Sequence, residues 1–537
     1  MKRLKMNGST LISAVLLVLS ISLKAGERVK PFELQSAVET WIRHVTADPK
    51  PEGRIDRLEA YSMDGDTVAF IAHLQDGGFC LCGADKDLLP VYLYNTSGSF
   101  DADNPAYQTI LSEIQQRTEY IRQADVNDMQ SLLSERNRSW NSLIAGQAPL
   151  KRLGKTITAE YSSTRLELPL TCKWDQGSSN PAHTTFNKYC PELEYGSGEH
   201  AIVGCMATAM VQIMYYWQWP ESGTGSGSTT YRFRRGFGWV EESCPTDPGI
   251  TASYPWVVDG ITRLEWSPVG GGTLRMQGYW DESLYEYARQ EISSHSDFQD
   301  ALQSCWGQLT PGSKPLNVTY GSSYDWSVMT DTFTASGGND MAKISYHAAV
   351  AANMNFGVKA SGTSPVETRN ALVNNFRFHS NADRDVNVND ETMREEIRWM
   401  RPVILSGTRP DGGAHGWVVH GYNENTDQFL MNFGHGGSGD NWYTYDNITF
   451  TDKEFNDDQV YIHKLAPEET VGFVGGAAGG TGSPDSPYKD IETAIDKADN
   501  GETLIFKAGS VNTFSSGTLE ISKPLTLMGC DITIKKE

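Results

Sequence analysis

Two segments far apart in the chain carry the residue types needed for covalent chemistry, a cysteine at a helix start and a histidine at a strand start. Cys205 opens Gly204-Cys-Met-Ala-Thr-Ala-Met-Val-Gln-Ile-Met-Tyr-Tyr-Trp217. Met206, Met210, Ile213, Met214 and Trp217 recur there at helical spacing, and Pro220 with the Gly/Ser run after it stops the helix. Cys205 falls in the first turn, off the apolar stripe. Unpaired backbone N–H groups and the positive end of the helix dipole favour a thiolate there, the form in which cysteine is a nucleophile. Such a cysteine also reads as a small buried hydrophobe, and spacing alone leaves the two readings open.

Gly412-Gly-Ala-His-Gly-Trp-Val-Val-His-Gly-Tyr422 reads as a glycine turn entering a strand, with His415 at its mouth. A later strand ends in Met431-Asn-Phe-Gly-His-Gly-Gly437. A histidine entering one strand, with Asn432 on the next, supplies a base and its orienting partner. Upstream, Lys173-Trp-Asp-Gln176 offers the Gln176 amide as a donor into an oxyanion hole beside the Cys205 N–H. Three other histidines compete. His420, five residues beyond His415, faces the opposite side of the strand. His435 sits in a glycine-flanked loop, and His347, in Tyr346-His-Ala-Ala-Val350, reads as a packing residue. No Gly-x-Ser-x-Gly elbow, His-Glu-x-x-His helix or Cys-x-x-Cys pair is present, which argues against serine hydrolysis, a zinc protease helix and a structural zinc site.

These segments need a scaffold, and 537 residues exceed one core, so roughly two to four folding units are expected. Acidic residues outnumber basic ones, 67 to 45, for a net charge of −22, which disfavours nucleic acid as a partner. Lys2, Arg3 and Lys5 followed by the apolar run Leu11–Leu23 and Ala25 read as a signal peptide over residues 1–25, an uncleaved anchor being the other reading. Residues 27–150 hold an early helix around Leu34–His44, short alternating strands such as Thr67–His73 and Gly78–Cys82, and a helix near Tyr107–Ile121. Residues 155–466 form a Gly-, Trp- and Tyr-rich α+β region with every candidate for chemistry. Gly475–Pro484 has the composition of a flexible linker, opening a small strand-rich tail over 475–537. Cys172 with Cys190, or Cys244 with Cys305, could pair in an oxidising compartment.

The order and content of these motifs resemble the streptopain family of secreted bacterial cysteine peptidases. Its Gly-Cys-x-Ala-Thr-Ala-x-x-Gln-Ile-Met followed by Pro is matched at Gly204, Cys205, Ala207, Thr208, Ala209, Gln212, Ile213, Met214 and Pro220. Tyr324-Asp-Trp326, Met354-Asn-Phe-Gly357 and Ser361-Gly-Thr363 resemble further family segments, and Gly77–Asp85 with Pro90–Tyr94 resembles its propeptide. The likeness runs from the signal to about residue 466. It implies Cys205 as nucleophile, His415 as base, Gln176 as oxyanion donor and Asn432 as orienter, with Ser361, Thr363 and the backbone beside Ala414 lining the substrate cleft. It implies a papain-like two-lobed α+β fold, an α+β inhibitory propeptide over 27–150, protein or peptide substrates, and no cofactor or metal. Cleavage near Gly146–Glu160 would release the active form. The family's Asn-Trp-Gly-Trp-Gly-Gly is here Asn432-Phe-Gly-His-Gly-Gly437, which puts the shielding of the imidazole in doubt. Ser486–Ile495 with Gly501–Ile505 resembles the cap and first strands of a right-handed parallel β-helix, so the expected tail is β-rich, with surface or glycan contact as its role. A catalytically inactive, surface- or glycan-binding protein is the alternative function.

Overall fold

The computed structural model describes most of residues 27–536; residues 1–26, 46–53, 148–159, 177–185, 193–199, 251–256 and 334–337, with some shorter stretches, lie outside it. The signal segment and most of the expected cleavage stretch therefore fall outside the described residues. Among those described, no helix is long and apolar enough to cross a membrane.

The N-terminal unit starts with helix α1 (Pro31–Val45), whose first turn carries Pro31, and the Glu33 carboxylate accepts from the Lys30 N–H. Strands β1 (Ile55–Met63), β2 (Asp66–Leu74), β3 (Phe79–Gly83) and β4 (Val91–Asn95) follow as an antiparallel meander. Strand β3 is buried on both faces because its side chains alternate between two cores. Cys80 and Cys82 join Leu34, Trp41 and Trp140, while Phe79 and Leu81 join Tyr107, Leu111 and Ile114. Trp140 lies on α2 (Val126–Ile144).

This unit docks on the rest of the chain along one seam. Val91 and Tyr92 carbonyls accept from the Ser323 hydroxyl (2.7 Å) and N–H (2.8 Å), and the Tyr94 N–H donates to Gly321 (3.3 Å). Arg136 of α2 forms a buried ion pair with Asp325.

Beyond it, β5 (Glu160–Ser162) and β6 (Arg165–Glu167) lead to helix α3 (Cys205–Trp217). Met206–Tyr216 are buried around the whole circumference, so α3 is a central helix rather than the one-sided helix its stripe predicts. Two of its polar side chains bond inside the core, Thr208 to the Gly204 carbonyl and Gln212 through its amide N–H to Asn432.

A second, satellite module interrupts this region. Strands β7 (Ser226–Ser243), β8 (Leu264–Ser267), β9 (Thr273–Trp280) and β10 (Thr310–Thr319) form an antiparallel sheet in the order β8-β9-β7-β10. Helices α4 (Glu282–Glu291) and α5 (Ser296–Gln308) cover it around their own core of Leu274, Trp280, Phe298 and Leu302.

Helices α6 (Gly338–Ala351), α7 (Pro365–Asn374) and α8 (Asp390–Arg398) then surround α3 and a mixed-length antiparallel sheet. Its strands are β11 (Asp383–Asp385), β12 (Val403–Thr408), β13 (Ala414–Asn423), β14 (Gln428–Asn432), β15 (Asn441–Tyr443) and β16 (Asp457–His463), in the order β11-β16-β12-β13-β14-β15. Strand β6 adds to β13. Helix and sheet content together are those of an α+β protein.

The C-terminal strands pair in parallel. β17 (Val471–Val474), β18 (Thr503–Phe506) and β20 (Thr526–Met528) stack as one sheet, β19 (Val511–Phe514) and β21 (Thr533–Lys536) as a second, with α9 (Ile491–Lys497) against the first coil. The Gly475–Pro484 run is a close-packed loop, not a linker. Strand β17 precedes it, Gly475 and Gly476 donate to the Tyr488 carbonyl (2.8 and 2.9 Å), and a side chain at Gly476 or Gly480 would strike the Pro487 carbonyl. These glycines serve backbone approach rather than freedom. The tail rests on the end of α8, with Phe473 against the C-cap residue Trp399 and a Lys507–Glu395 ion pair of 2.7 Å.

Candidate active site

The chain enters α3 through Gly204, at φ +92°, a conformation L side chains rarely adopt. A Cβ there would lie 2.8 Å from the Met354 methyl and 3.1 Å from the Ser361 carbonyl. Only glycine lets the loop over 354–361 close on the helix start. Cys205 follows at the first helical position, partly exposed. Burial pushes its thiol up, and the N–H groups of Gly416, Met206 and Cys205 itself, directed at the sulfur, oppose that rise.

His415 and Gly416 lie near the start of β13, paired with Gly407 and Ser406 of β12. Gly416 is required for close approach, since a Cβ would fall on the Met206 sulfur of α3. This contact lays the strand across the helix start. The His415 ring is buried among Phe433 (centroids 6.0 Å, 8° between planes), Trp417 (6.0 Å, 19°), Phe455 (5.5 Å) and His435 (5.2 Å). The shielding that the replaced tryptophans put in doubt is supplied by Phe433, Trp417 and Phe455. Nε2–H donates to the Phe433 carbonyl at 3.0 Å, a bond that leaves Nδ1 as the basic nitrogen of the neutral ring. Burial, then the neighbouring His435, push the imidazole down to about 3, against the raising effect of that carbonyl.

Asn432 acts at one remove from His415. Its Oδ1 accepts from Gln212 (2.8 Å) and the Gly434 N–H (3.0 Å), and its Nδ2 donates to the Cys172 carbonyl (2.8 Å). These bonds fix the turn that presents the Phe433 carbonyl to His415. Gln176 is buried, and its backbone carbonyl accepts from Asn187 Nδ2 at 2.6 Å. The other end of the Asn187 amide accepts from the Val203 N–H at 2.9 Å. One buried side chain thus ties the Gln176 segment to the entry of α3. Sequence reasoning missed Asn187, which stands in no motif.

Ser361 is buried, with its hydroxyl donating to the Ile202 carbonyl (2.6 Å) and accepting from the Gly357 N–H (2.9 Å). Thr363 bonds the Ala352 carbonyl, and Ala414 is exposed at the β13 start. His420 bonds the Leu168 carbonyl at 3.2 Å. His347 is half-buried, with its Nδ1 2.9 Å from the Tyr324 hydroxyl, a packing arrangement. All eight cysteines are free thiols, so neither pairing considered from the sequence is formed. Among the described residues, no group of three or more His, Cys, Asp or Glu could hold a metal ion.

The model of the Peptidase C10 family matches residues 174–260 and 293–443, which span all four residues of the Cys205–His415–Gln176–Asn432 set. Over these residues the chain is similar to the Peptidase C10 family. It is similar to streptopain of Streptococcus pyogenes, including the protein of serotype M1, at 26% identity over 171 residues, 31% of this chain. That match spans 37% of the relatives' length. The structure of interpain A cysteine protease from Prevotella intermedia aligns with TM-score 0.37 and 20% identity over 56% of this chain and 94% of that one. A prointerpain A fragment aligns at 0.34 and 18%, over 76% and 98%. Scores of this size establish no common arrangement.

The Peptidase C10 match skips residues 261–292, which hold strands β8 and β9 and all of α4. Asp281, the residue that caps α4, lies within that stretch.

Proposed function

We propose that this chain is an endopeptidase made as an exported zymogen, with a papain-like two-lobed catalytic unit over 155–466. The observation that carries the reading is the crossing of β13 over the first turn of α3, with the Gly416 N–H directed at the Cys205 sulfur and His415 next to it in sequence. Cys205 gives its thiol proton to Nδ1 of His415, and the sulfur attacks a peptide carbonyl. The Gln176 amide and the Cys205 N–H hold the oxyanion. Breakage of the C–N bond follows as His415 protonates the departing amine. Water, deprotonated by His415, then hydrolyses the thioester and restores the thiol.

In the form described, the thiol is raised and the imidazole lowered, so the proton rests on sulfur and both groups are neutral. This supports a latent precursor. Residues 27–150 are its inhibitory propeptide, released by cleavage in the 146–160 stretch. Ser361, Thr363 and Ala414 border the substrate cleft, and the parallel-paired tail is a short β-helix-like module suited to surface or glycan contact.

The test is casein hydrolysis by the chain after its pro-region is removed, comparing wild type with Cys205→Ala, His415→Ala and Gln176→Ala. The first two should be inactive, and Gln176→Ala should lose roughly 10²–10³ in kcat, as removal of one oxyanion donor does. Casein cleavage by Cys205→Ala at the wild-type rate would overturn the reading. An inert wild type would favour the binding-protein alternative.

A further inference from the structure

The satellite module meets the loop beside Cys205 at a buried carboxylate. Asp281 is 1% exposed and accepts four hydrogen bonds. Through Oδ1 it caps α4, taking the Leu284 N–H at 3.0 Å and the Ser283 hydroxyl. Through Oδ2 it takes the Tyr231 hydroxyl of β7 at 3.1 Å and the Val358 N–H at 2.8 Å. The next N–H of the loop, Lys359, donates to the Ser283 hydroxyl at 2.9 Å. Ser283 also leans on Gly357, where a Cβ would collide with it.

The loop so held is the one that closes on the nucleophile. Gly357 accepts from the Ile202 N–H at 3.0 Å, Ser361 bonds the Ile202 carbonyl, and the Ser361 carbonyl packs on Gly204, the residue before Cys205. A second tie runs from Thr229 of β7 to the Met354 carbonyl at 3.2 Å. The 354–361 loop is therefore clasped from two sides, by α3's entry on one and by the satellite module on the other.

We propose that Asp281, with Ser283, positions the substrate-side loop against Cys205, so that the part of the satellite module skipped by the family match sets how well the cleft fits a peptide. Asp281 is a positioning residue, acting through the Val358 and Lys359 N–H groups. The proposal rests on the peptidase reading of the Cys205 site.

Asp281→Asn separates the two jobs of the carboxylate. Its remaining oxygen can still cap α4, but its NH2 then meets the Val358 N–H, donor against donor. Ser283→Ala removes the Lys359 contact alone. Both variants are compared with wild type in the full chain, held under reducing conditions until any self-processing has finished. Two rates are read at Cys205, alkylation by iodoacetamide and by a peptidyl chloromethyl ketone. The ratio of peptidyl to small-reagent rate reports cleft fit without turnover, and thermal melting reports folding.

The expected result is a fall in that ratio of about tenfold for Asp281→Asn and less for Ser283→Ala, with the iodoacetamide rate within about twofold of wild type. An unchanged ratio in both variants overturns the proposal. Failure of the wild type to cleave casein would instead strike the peptidase reading, while the ratio still reports on the loop.

Discussion

Nε2 of His415 is bonded to the backbone carbonyl of Phe433, not to a side-chain amide, and Asn432 serves that bond by holding the turn in place. The orienting group is thus a main-chain atom whose position depends on a buried glutamine–asparagine pair inside the core.

The first consequence concerns Asn432. Its replacement by alanine leaves the Gln212 amide, the Cys172 carbonyl and the Gly434 N–H without their partner. Each such group costs about 1–3 kcal/mol when buried and unpaired. Urea denaturation of Asn432→Ala should show a loss of several kcal/mol, with kcat falling further than KM rises. A stability within about 0.5 kcal/mol of wild type would contradict the network.

Gly416 and Met206 make a paired prediction. Gly416→Ala places a methyl on the Met206 sulfur and should destabilise by about 1–3 kcal/mol while disturbing the His415–Cys205 approach. Met206→Ala in the same chain opens that space and should restore much of the activity lost to Gly416→Ala. Losses that simply add in the double variant would show the two residues are not in contact.

The latent Cys205–His415 pair has a pH signature. With the thiol above and the imidazole below their ordinary values, the intact precursor should react with iodoacetamide only as the solution becomes alkaline. Once the pro-region is removed, the proposed mechanism calls for a rate plateau at lower pH. Identical profiles before and after processing would mean the latency is not electrostatic.

Three histidines bear on stability. His347 and His415 are pushed down to about 3 and His420 to about 4, in each case chiefly by burial. The unfolded chain therefore binds more protons than the folded one below the ordinary value of 6.5. Stability should be full above that pH and fall as pH drops below it, by about 1.4 kcal/mol per pH unit for each histidine. Between pH 6.5 and 5, His347→Gln should lower the slope of unfolding free energy by the share of one histidine. An unaltered slope would remove His347 from the set.

Much of this site is legible in the sequence because chemistry and local structure coincide there. Cys205 opens α3 because a glycine, a run of helix formers and a stop signal bracket it, and His415 opens β13 because glycines precede an apolar run. The bonds of Asn187 to Gln176 and of Asp281 to Val358 are not legible, since they join groups 11 and 77 residues apart, which no local pattern encodes. Glycine misled where its two uses diverge: at Gly476 and Gly480 the missing side chain permits packing against Pro487, which composition reads as flexibility. The spacing on α3 predicts one apolar face, but the alanines between its methionines are buried too.

The most direct measurement is self-processing of the purified precursor under mild reducing conditions, followed by intact mass for wild type and Cys205→Ala. The account predicts that wild type shortens by its N-terminal unit, with a new terminus between residues 146 and 160, while Cys205→Ala stays whole. A Cys205→Ala chain that shortens by itself at the same position and rate would contradict it.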